Sequence, residues 1–239
     1  MRWSALLVVA ELGLAACGGG CSSRTQLPGD GGLVAASCTE GDPTTAGQGT
    51  YYSADGTGAC SFERSPEDLM VAALNAPDYA GAAWCGACIA VTGPSGSVVV
   101  RVVDKCPECK RGDVDLSEPA FAKIAAISAG RVAVSWHEVA CPVTGPVAYR
   151  SKDGSNADWT AIQVRNHRYA IAKLEAKVGS AYRSIERADD NYFVAPRGLG
   201  PGPYALRVTD IHGHVLEDGA IALGDATERA GAAQFPACQ

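Results

Sequence analysis

Two Cys-x-x-Cys pairs, Cys85-x-x-Cys88 and Cys106-x-x-Cys109, are the residues whose types and spacing could most directly do chemistry. Two such pairs joined by a loop are typical of a zinc ribbon, in which four thiolates hold one metal ion. The same thiols can instead be oxidised in pairs, which is their usual state outside the cytoplasm. Cys60 and Cys141 flank the cluster and offer further partners. The choice between zinc and disulfides therefore depends on whether the chain is exported.

The N-terminus indicates export. Arg2 supplies a positive charge ahead of the apolar residues 5–10, as in a signal peptide. Residues 14–17 then resemble the lipobox of bacterial lipoproteins, in which the cysteine becomes lipidated. A lipid on Cys17 would anchor the protein without a membrane-spanning helix, and plain secretion with cleavage nearby is the alternative. For an exported chain we predict disulfides rather than zinc, and no metal or other cofactor.

The composition limits the architecture and the partners. The 239 residues suffice for one large domain or two small ones, and 47% of them are hydrophobic, which allows a packed core. The apolar runs are shorter than the roughly eighteen residues that cross a bilayer, so membrane contact is expected only through the lipid anchor. The net charge of −6 argues against nucleic acid, whose binding needs clustered Lys and Arg. We expect a monomer, held at the cell surface or outer membrane or secreted.

The chain divides into a tether and two folded parts. Residues 18 to about 45 are rich in Gly, Ser, Thr, Pro and Asp, which is typical of a flexible tether. In the first folded part, Ser65 and Pro66 predict the start of a helix that apolar residues continue to Leu74 at helical spacing. Strands are expected at residues 88–92, 97–103 and 131–139, a hairpin turn at 93–96, and a second helix from Ser117 to Ile124.

The second folded part begins near residues 144–146 and shows no convincing long helix. Short strands separated by turn signals predict an all-β sandwich. The expected strands lie at residues 159–165, 169–178, 182–187 and 204–210 and again from residue 214, with a hairpin corner at His212.

Several segments resemble bacterial expansins. Residues 161–167 read Ala-Ile-Gln-Val-Arg-Asn-His, close to the family's A-I-Q-V-R-N-H. Residues 102–108 resemble its V-T-D-x-x-P-E stretch, and residues 115–121 resemble its D-L-S-x-x-A-F motif. Weaker matches lie at residues 49–51, 208–211 and 234–236. The resemblance therefore covers nearly the whole ordered chain.

The resemblance implies a mainly β fold with short helices. After the signal peptide with its lipobox (residues 1–17) and the tether (18–45), it predicts a six-stranded double-psi β-barrel at residues 46–144. An immunoglobulin-like, carbohydrate-binding β-sandwich follows at residues 145–239. The partner it implies is cell-wall polysaccharide of the cellulose or hemicellulose type.

The resemblance also implies a set of disulfides. Cys38 and Cys238 are left over, and their pairing stays open. The pairs on the family's pattern are Cys60 with Cys85 and Cys88 with Cys141, with Cys106 and Cys109 left to a local pair.

Asp115 matches the groove acid that expansins share with the family-45 endoglucanases. Those enzymes invert their substrate with a second carboxylate that activates water, and it lies on the opening strand. Here that strand carries Thr50, Tyr51 and Tyr52 and no acid. We therefore predict that the groove binds glycan without hydrolysing it. The structural alternative is that Asp115 caps the helix at Ser117.

Other groove positions follow from the same resemblance. Asp104 matches the family's second groove acid and is expected to bond sugar hydroxyls or Asp115. Cys106 stands where the family often has a groove tyrosine. Tyr51 and Tyr52 can supply an aromatic ring instead, but strand alternation points one of them inward and leaves one for the substrate.

The binding face of the sandwich is expected around Trp159. Alternation places Ala161 and Gln163 on the same outer face, solvent-facing or partly covered, and aromatic rings on such a face stack on sugars. Tyr192 is a second candidate ring, and Lys152 matches a basic position nearby.

Two acids reduce this platform. Asp158 and Asp190 stand where the family has aromatic residues, so we expect weak binding of cellulose. The acidic overall balance should also gain little from electrostatics on charged walls.

Two other functions compete with wall loosening. Related barrels include lytic transglycosylases, which cleave peptidoglycan with a single acid, and Asp115 could serve in that role. A pure carbohydrate-binding module is the third reading, for which replacing Asp115 would leave function unchanged. The family likeness of the second domain favours the non-hydrolytic reading.

Overall fold

A computed structural model describes residues 44–238, in which a β-barrel precedes a β-sandwich. The signal segment and the tether, including Cys17, lie outside the described residues. The barrel elements are β1 (Thr45–Tyr52), β2 (Val71–Asn75), α1 (Ala76–Tyr79), β3 (Cys88–Gly93), β4 (Gly96–Cys106), β5 (Val114–Ser117), α2 (Glu118–Ile124), a 3-10 turn (Ile127–Ala129) and β6 (Val132–Val139).

The six barrel strands close on themselves in the order β1-β5-β2-β4-β3-β6. Strands β1 and β5 are parallel, as are β2 and β4, while the remaining neighbours are antiparallel. The interior is filled by apolar side chains such as Leu74, Ile89, Leu116 and Phe121, all fully buried. Because the sheet is closed, the barrel has no free strand edge. Side chains that point away from its interior are left to form a groove on the outer surface.

The helix expected from Ser65 to Leu74 is wrong. Val71–Asn75 forms β2 instead, and all five of its residues are buried. A strand that is buried on both faces has a continuous run of apolar residues. Over so few residues, such a run also satisfies the apolar spacing of an amphipathic helix, so the two cannot be told apart by periodicity. A single helical turn, α1, follows this strand instead. The Asn75 side chain caps it by accepting a 3.0 Å hydrogen bond from the backbone N–H of Asp78.

The second helix is confirmed, and so is the hairpin before it. The Ser117 side chain caps α2 by accepting from Ala120 N at 3.2 Å, and Phe121 and Ile124 bury its inner face. The turn at residues 93–96 joins β3 to β4, with Gly93 opposite Gly96. Both motifs are local, so the sequence around them was enough to predict them.

The second part confirms the predicted fold class, a barrel followed by a β-sandwich. Its strand order is β13-β12-β9-β10-β11-β8-β7-β14, and β10 pairs with β9 along its first residues and with β11 at its end. The strands are β7 (Ala148–Ser151), β8 (Thr160–Arg165), β9 (Ile171–Val178), β10 (Ala181–Arg187), β11 (Phe193–Ala195), β12 (Tyr204–Asp210), β13 (Val215–Ile221) and β14 (Glu228–Ala230).

The change of partner along β10 carries the chain from one layer to the other. Apolar residues of both layers, among them Ile162, Leu174 and Leu206, pack between them as a second core. No helix in residues 44–238 is long and apolar enough to cross a membrane.

Three disulfides join the pairs that the family pattern implied. Cys238 is also disulfide-bonded, whereas Cys38 lies outside the described residues. Within residues 44–238, no group of three or more His, Cys, Asp or Glu side chains is arranged to hold a metal ion. The bonds are Cys60–Cys85, Cys88–Cys141 and Cys106–Cys109.

The barrel covers one face of the sandwich. The outer face of β8 carries Ala161 and Gln163, and both are fully buried. The Gln163 amide donates a 2.8 Å hydrogen bond to the carbonyl of Cys60 in the barrel. The alternation predicted for this strand is therefore right, but the face is covered by the first domain rather than open to solvent.

Charged and polar pairs complete the contact between the two domains. Arg165 of β8 forms an ion pair of 2.7 Å with Glu63 of the barrel. His212, in the turn after β12, lies 2.9 Å from Glu138 of β6. These links fix the sandwich against the barrel.

Candidate functional site

The central pair of the site is Thr50 and Asp115, which lie side by side on β1 and β5. The Thr50 hydroxyl donates a 2.6 Å hydrogen bond to Asp115 Oδ1. Both residues open into a cleft of ≈ 600 Å³ on the outside of the barrel. The residues that line this cleft are Gln48, Thr50, Tyr51, Cys106, Glu108, Cys109, Lys110, Asp113, Asp115 and Arg131.

The surroundings of Asp115 make its carboxyl group a weaker acid than a free aspartate. Burial raises the pKa of its carboxyl group, and the charges of Glu108 and Asp104 act in the same direction. The hydrogen bond from Thr50 and the positive charge of Arg131 oppose them only in part. The helix cap is supplied by Ser117, so the alternative that Asp115 serves as a cap is not supported.

The Asp104 side chain binds backbone N–H groups near the cleft. Its Oδ1 accepts hydrogen bonds from the backbone N–H groups of Ala59, at 2.7 Å, and Lys105, at 2.8 Å. The chain at Gly58 passes so close to Asp104 that an added Cβ would lie 2.5 Å from its Cβ. Asp104 therefore holds the loop after β1 and acts on Asp115 through its charge.

The two tyrosines of β1 have different surroundings. The Tyr51 ring packs at 5.0 Å from Phe121, while part of it lines the cleft. The Tyr52 hydroxyl is buried and has no hydrogen-bond partner among the described residues. Burial, with the nearby charges of Asp104 and Asp115, raises the pKa of Tyr52, which keeps it a neutral donor.

Sequence reasoning missed several cleft residues. Asp113 accepts from Gln48 N at 2.9 Å and from Lys110 N at 3.2 Å, so both its oxygens are engaged by backbone. Glu108 and Arg131 are exposed at the cleft wall. Arg131 directly precedes Val132, which pairs with Gly49 on β1. Arg131 could have been predicted as a cleft residue from the pairing of β1 with β6, which places it beside the start of the groove.

The expected platform on the sandwich is only partly present. Trp159 is half-buried just before β8, and Asp158 beside it is exposed. Tyr192 is only 5% exposed, so its ring does not lie open on the surface as the predicted platform requires. Lys152 covers this ring at 4.8 Å and forms a 2.5 Å ion pair with Asp190. Lys152, paired with Asp190, therefore lies over the ring that was expected to be open.

Comparisons with known proteins agree with this geometry. Residues 71–136 match a family model described as lytic transglycolase. Expansin-YoaJ of Bacillus subtilis (strain 168) is 40% identical over 183 residues, covering 75% of this chain and 76% of that protein. Expansin-like protein 1 of Dictyostelium discoideum is 32% identical over 181 residues, covering 70% of this chain and 63% of its own length.

Solved structures show the same arrangement of both domains. The crystal structure of a Clavibacter michiganensis expansin superposes with a TM-score of 0.75 at 35% identity, covering 81% of this chain and 98% of that one. The same values hold for a mutant of that expansin in complex with cellohexaose.

Proposed function

This chain belongs to the expansin family, and on that premise we propose that it binds cell-wall polysaccharide and loosens it without hydrolysing it. The observation that carries the proposal is the match, over both domains, to an expansin solved with cellohexaose. The cleft around Asp115 provides the place where one glycan chain would lie. The half-buried Trp159 on the sandwich is the ring available to a second stretch of glycan.

Binding in the cleft would rely on hydrogen bonds from neutral and charged donors. A protonated Asp115 can donate to a sugar oxygen, and the exposed Lys110 and Arg131 on the cleft wall are charged donors.

The absence of hydrolysis follows from what faces Asp115. Inverting cleavage needs a second carboxylate that activates water across the sugar, and strand β1 beside Asp115 carries no acid. Asp113 is engaged by two backbone N–H groups. Glu108 is the remaining cleft acid, and it lies on the exposed turn that Cys106 and Cys109 close. We therefore expect that neither wild type nor Glu108→Gln releases soluble sugar from cellulose.

The proposal is tested by measuring binding and sugar release together. Purified protein is mixed with cellulose, xylan and pectin, and both the bound fraction and the soluble reducing ends are determined. Retention on a neutral glycan with no release of sugar supports the proposal. Reducing ends that form in proportion to protein, and disappear in Asp115→Asn, would show a glycosidase instead.

A second candidate is a lytic transglycosylase-like activity on peptidoglycan. The match of residues 71–136 to the lytic transglycolase model favours it, and such a reaction uses one acid without a water-activating base. Burial of Asp115, which raises its pKa, suits an acid of this kind. Muropeptide analysis distinguishes the two candidates, because only the transglycosylase forms anhydro sugars.

We also propose that the protein is exported and lipidated at Cys17. The disulfides of the barrel are stable outside the cytoplasm, which supports export. Mass spectrometry of the membrane fraction should find a diacylated N-terminal peptide that begins at Cys17. In a Cys17→Ser variant the protein should leave the membrane fraction.

A further inference from the structure

We propose that the Cys106–Cys109 disulfide is a redox modification site, which a dithiol reductant opens in the folded protein and thereby weakens the grip of the cleft on glycan. The bond lies in the wall of the cleft that holds Asp115, because both cysteines line it. Its effect on glycan rests on the proposed function, whereas its chemistry does not.

The three disulfides with both cysteines in residues 44–238 differ in access. Cys60–Cys85 and Cys88–Cys141 are buried, since each of these four cysteines is at most 4% exposed. Cys109 is only half-buried and lies between two exposed residues, Glu108 and Lys110. A reductant can therefore reach Cys109 without unfolding the barrel, and more readily than it reaches the sulfurs of the other two bonds.

The bonds also differ in what they contribute to the fold. The stabilisation by a disulfide grows with the length of the loop it closes. The separations are 25 residues for Cys60–Cys85 and 53 for Cys88–Cys141, against 3 for Cys106–Cys109. Opening the shortest loop therefore leaves most of the stability in place.

The turn between Cys106 and Asp113 is anchored at both ends by other contacts. Cys106 ends β4 and pairs with Asn75 on β2. At the far end, Gly112 N donates to Asp78 at 2.7 Å, and its carbonyl accepts from the Trp136 indole at 2.8 Å. Reduction would therefore release the middle of the turn without moving the strand that carries Asp115.

The residue that gains freedom faces the substrate. Glu108 lies between the two cysteines, and its charge contributes to the raised pKa of Asp115. Side chains that must be ordered again on binding lower affinity. A loosened turn thus changes both the shape of the cleft wall and the proton affinity of its acid.

The exchange is balanced with a dithiol as the reductant. One thiolate of the reagent attacks Cys109 Sγ, the Cys106–Cys109 bond breaks, and Cys106 leaves as a thiolate. The second thiolate attacks the reagent's own sulfur in the mixed disulfide, and Cys109 leaves in turn. The reagent becomes a cyclic disulfide, two electrons pass to the protein, and the two protons lost by the reagent go to the two cysteines.

The chemical step is tested by trapping thiols in folded protein. Native protein is treated with increasing dithiothreitol, alkylated, and mapped by peptide mass spectrometry, while circular dichroism follows the fold. We expect labels on Cys106 and Cys109 at concentrations that leave the two buried bonds unlabelled and the spectrum unchanged. Labelling of the buried bonds at the same concentration, or labelling of Cys106 only after the spectrum collapses, would overturn the proposal.

The effect on the cleft is tested with cellohexaose and a second variant. In reduced, alkylated protein we expect the dissociation constant to rise roughly threefold to tenfold, as for a few newly mobile side chains. Cys106→Ser/Cys109→Ser should bind as weakly and ignore dithiothreitol. Unchanged affinity in both would contradict the functional half of the proposal. Failure of oxidised wild type to bind any glycan would count against the proposed function and leave the thiol-trapping result standing.

Discussion

Thr50 Oγ1 donates a hydrogen bond of 2.6 Å to Asp115 Oδ1 from the neighbouring parallel strand. Two opposing effects therefore act on the pKa of the Asp115 carboxyl group. Burial favours the protonated acid, and the hydroxyl donor favours the carboxylate. Strand β1, which carries this threonine, contains no carboxylate that could activate water.

Removal of the Thr50 hydroxyl should raise the pKa of Asp115 further. In Thr50→Val the carboxylate loses a donor that lowers its pKa, whereas Thr50→Ser keeps the hydroxyl and serves as the control. Carboxyl carbon NMR of Asp115 through a pH titration measures the change. A lower midpoint in Thr50→Val than in wild type would show that the hydrogen bond does not favour the ionised form.

Glycan binding and stability should both depend on pH through Asp115. Because burial raises its folded pKa above the unfolded value of about 3.9, the folded state holds the proton more tightly. The stability that Asp115 contributes is present below that unfolded value and is lost as the pH rises through the raised one.

Calorimetry with cellohexaose checks this direction. Affinity of wild type should fall as the pH rises above the Asp115 pKa, since the carboxyl can no longer donate. The profile of Asp115→Asn should lack this step, because the amide does not titrate. A step of equal size in both proteins would assign the pH dependence to another group.

His167 should make the protein sensitive to acid. It is completely buried, its Nδ1 lies 2.7 Å from the Tyr169 carbonyl oxygen, and burial lowers its pKa to about 4. Since the unfolded histidine has a pKa near 6.5, the unfolded state binds the extra proton first as the pH falls. The stability from neutral His167 is thus present above about pH 6.5 and is lost towards pH 4.

Urea unfolding of wild type and His167→Gln at several pH values measures this loss. The free energy of unfolding should fall less steeply with acid in the variant, by up to about 3 kcal/mol over the window. Parallel curves for the two proteins would show that His167 is not the group responsible.

Trp159 should contribute more to glycan binding than Tyr192. Trp159 is half-buried and presents part of its ring, while Tyr192 is 5% exposed beneath Lys152. Trp159→Ala should lower retention on cellulose by roughly five- to tenfold if a stacking contact of about 1 kcal/mol or more is lost. Tyr192→Phe is the matched control and should bind as wild type. Equal losses in both would place the platform elsewhere.

The parts of the fold that sequence predicted best depend on local patterns. Ser117 caps its helix, and residues 93–96 form the hairpin turn, because caps and turns are decided by a few neighbouring side chains. Residues 71–74 are predicted as the end of a helix but belong to strand β2 (Val71–Asn75), since their conformation depends on partners far along the chain. The spacing of apolar residues in a short segment does not reveal whether a strand is buried on both faces.

The candidate site likewise contains features that sequence could predict and features that depend on long-range packing. Asp115 and Thr50 were expected in one groove, and the register of β1 and β5 brings them together. The burial of Tyr192 could not be predicted from sequence, because it depends on how Lys152, paired with Asp190, lies over the ring. Likewise, Gln163 alternates as predicted, but only the docked barrel explains its burial.

Extension of wall strips under constant load tests the central claim most directly. Purified wild type, Asp115→Asn and heat-inactivated protein are compared on cellulose-based sheets and on plant wall strips, and the bathing solution is assayed for soluble sugar. We predict that wild type increases the rate of extension with no release of sugar, and that Asp115→Asn, folded by circular dichroism, loses most of this effect. Extension that appears only together with released sugar, or that is unaffected by Asp115→Asn, would contradict non-hydrolytic loosening through this cleft.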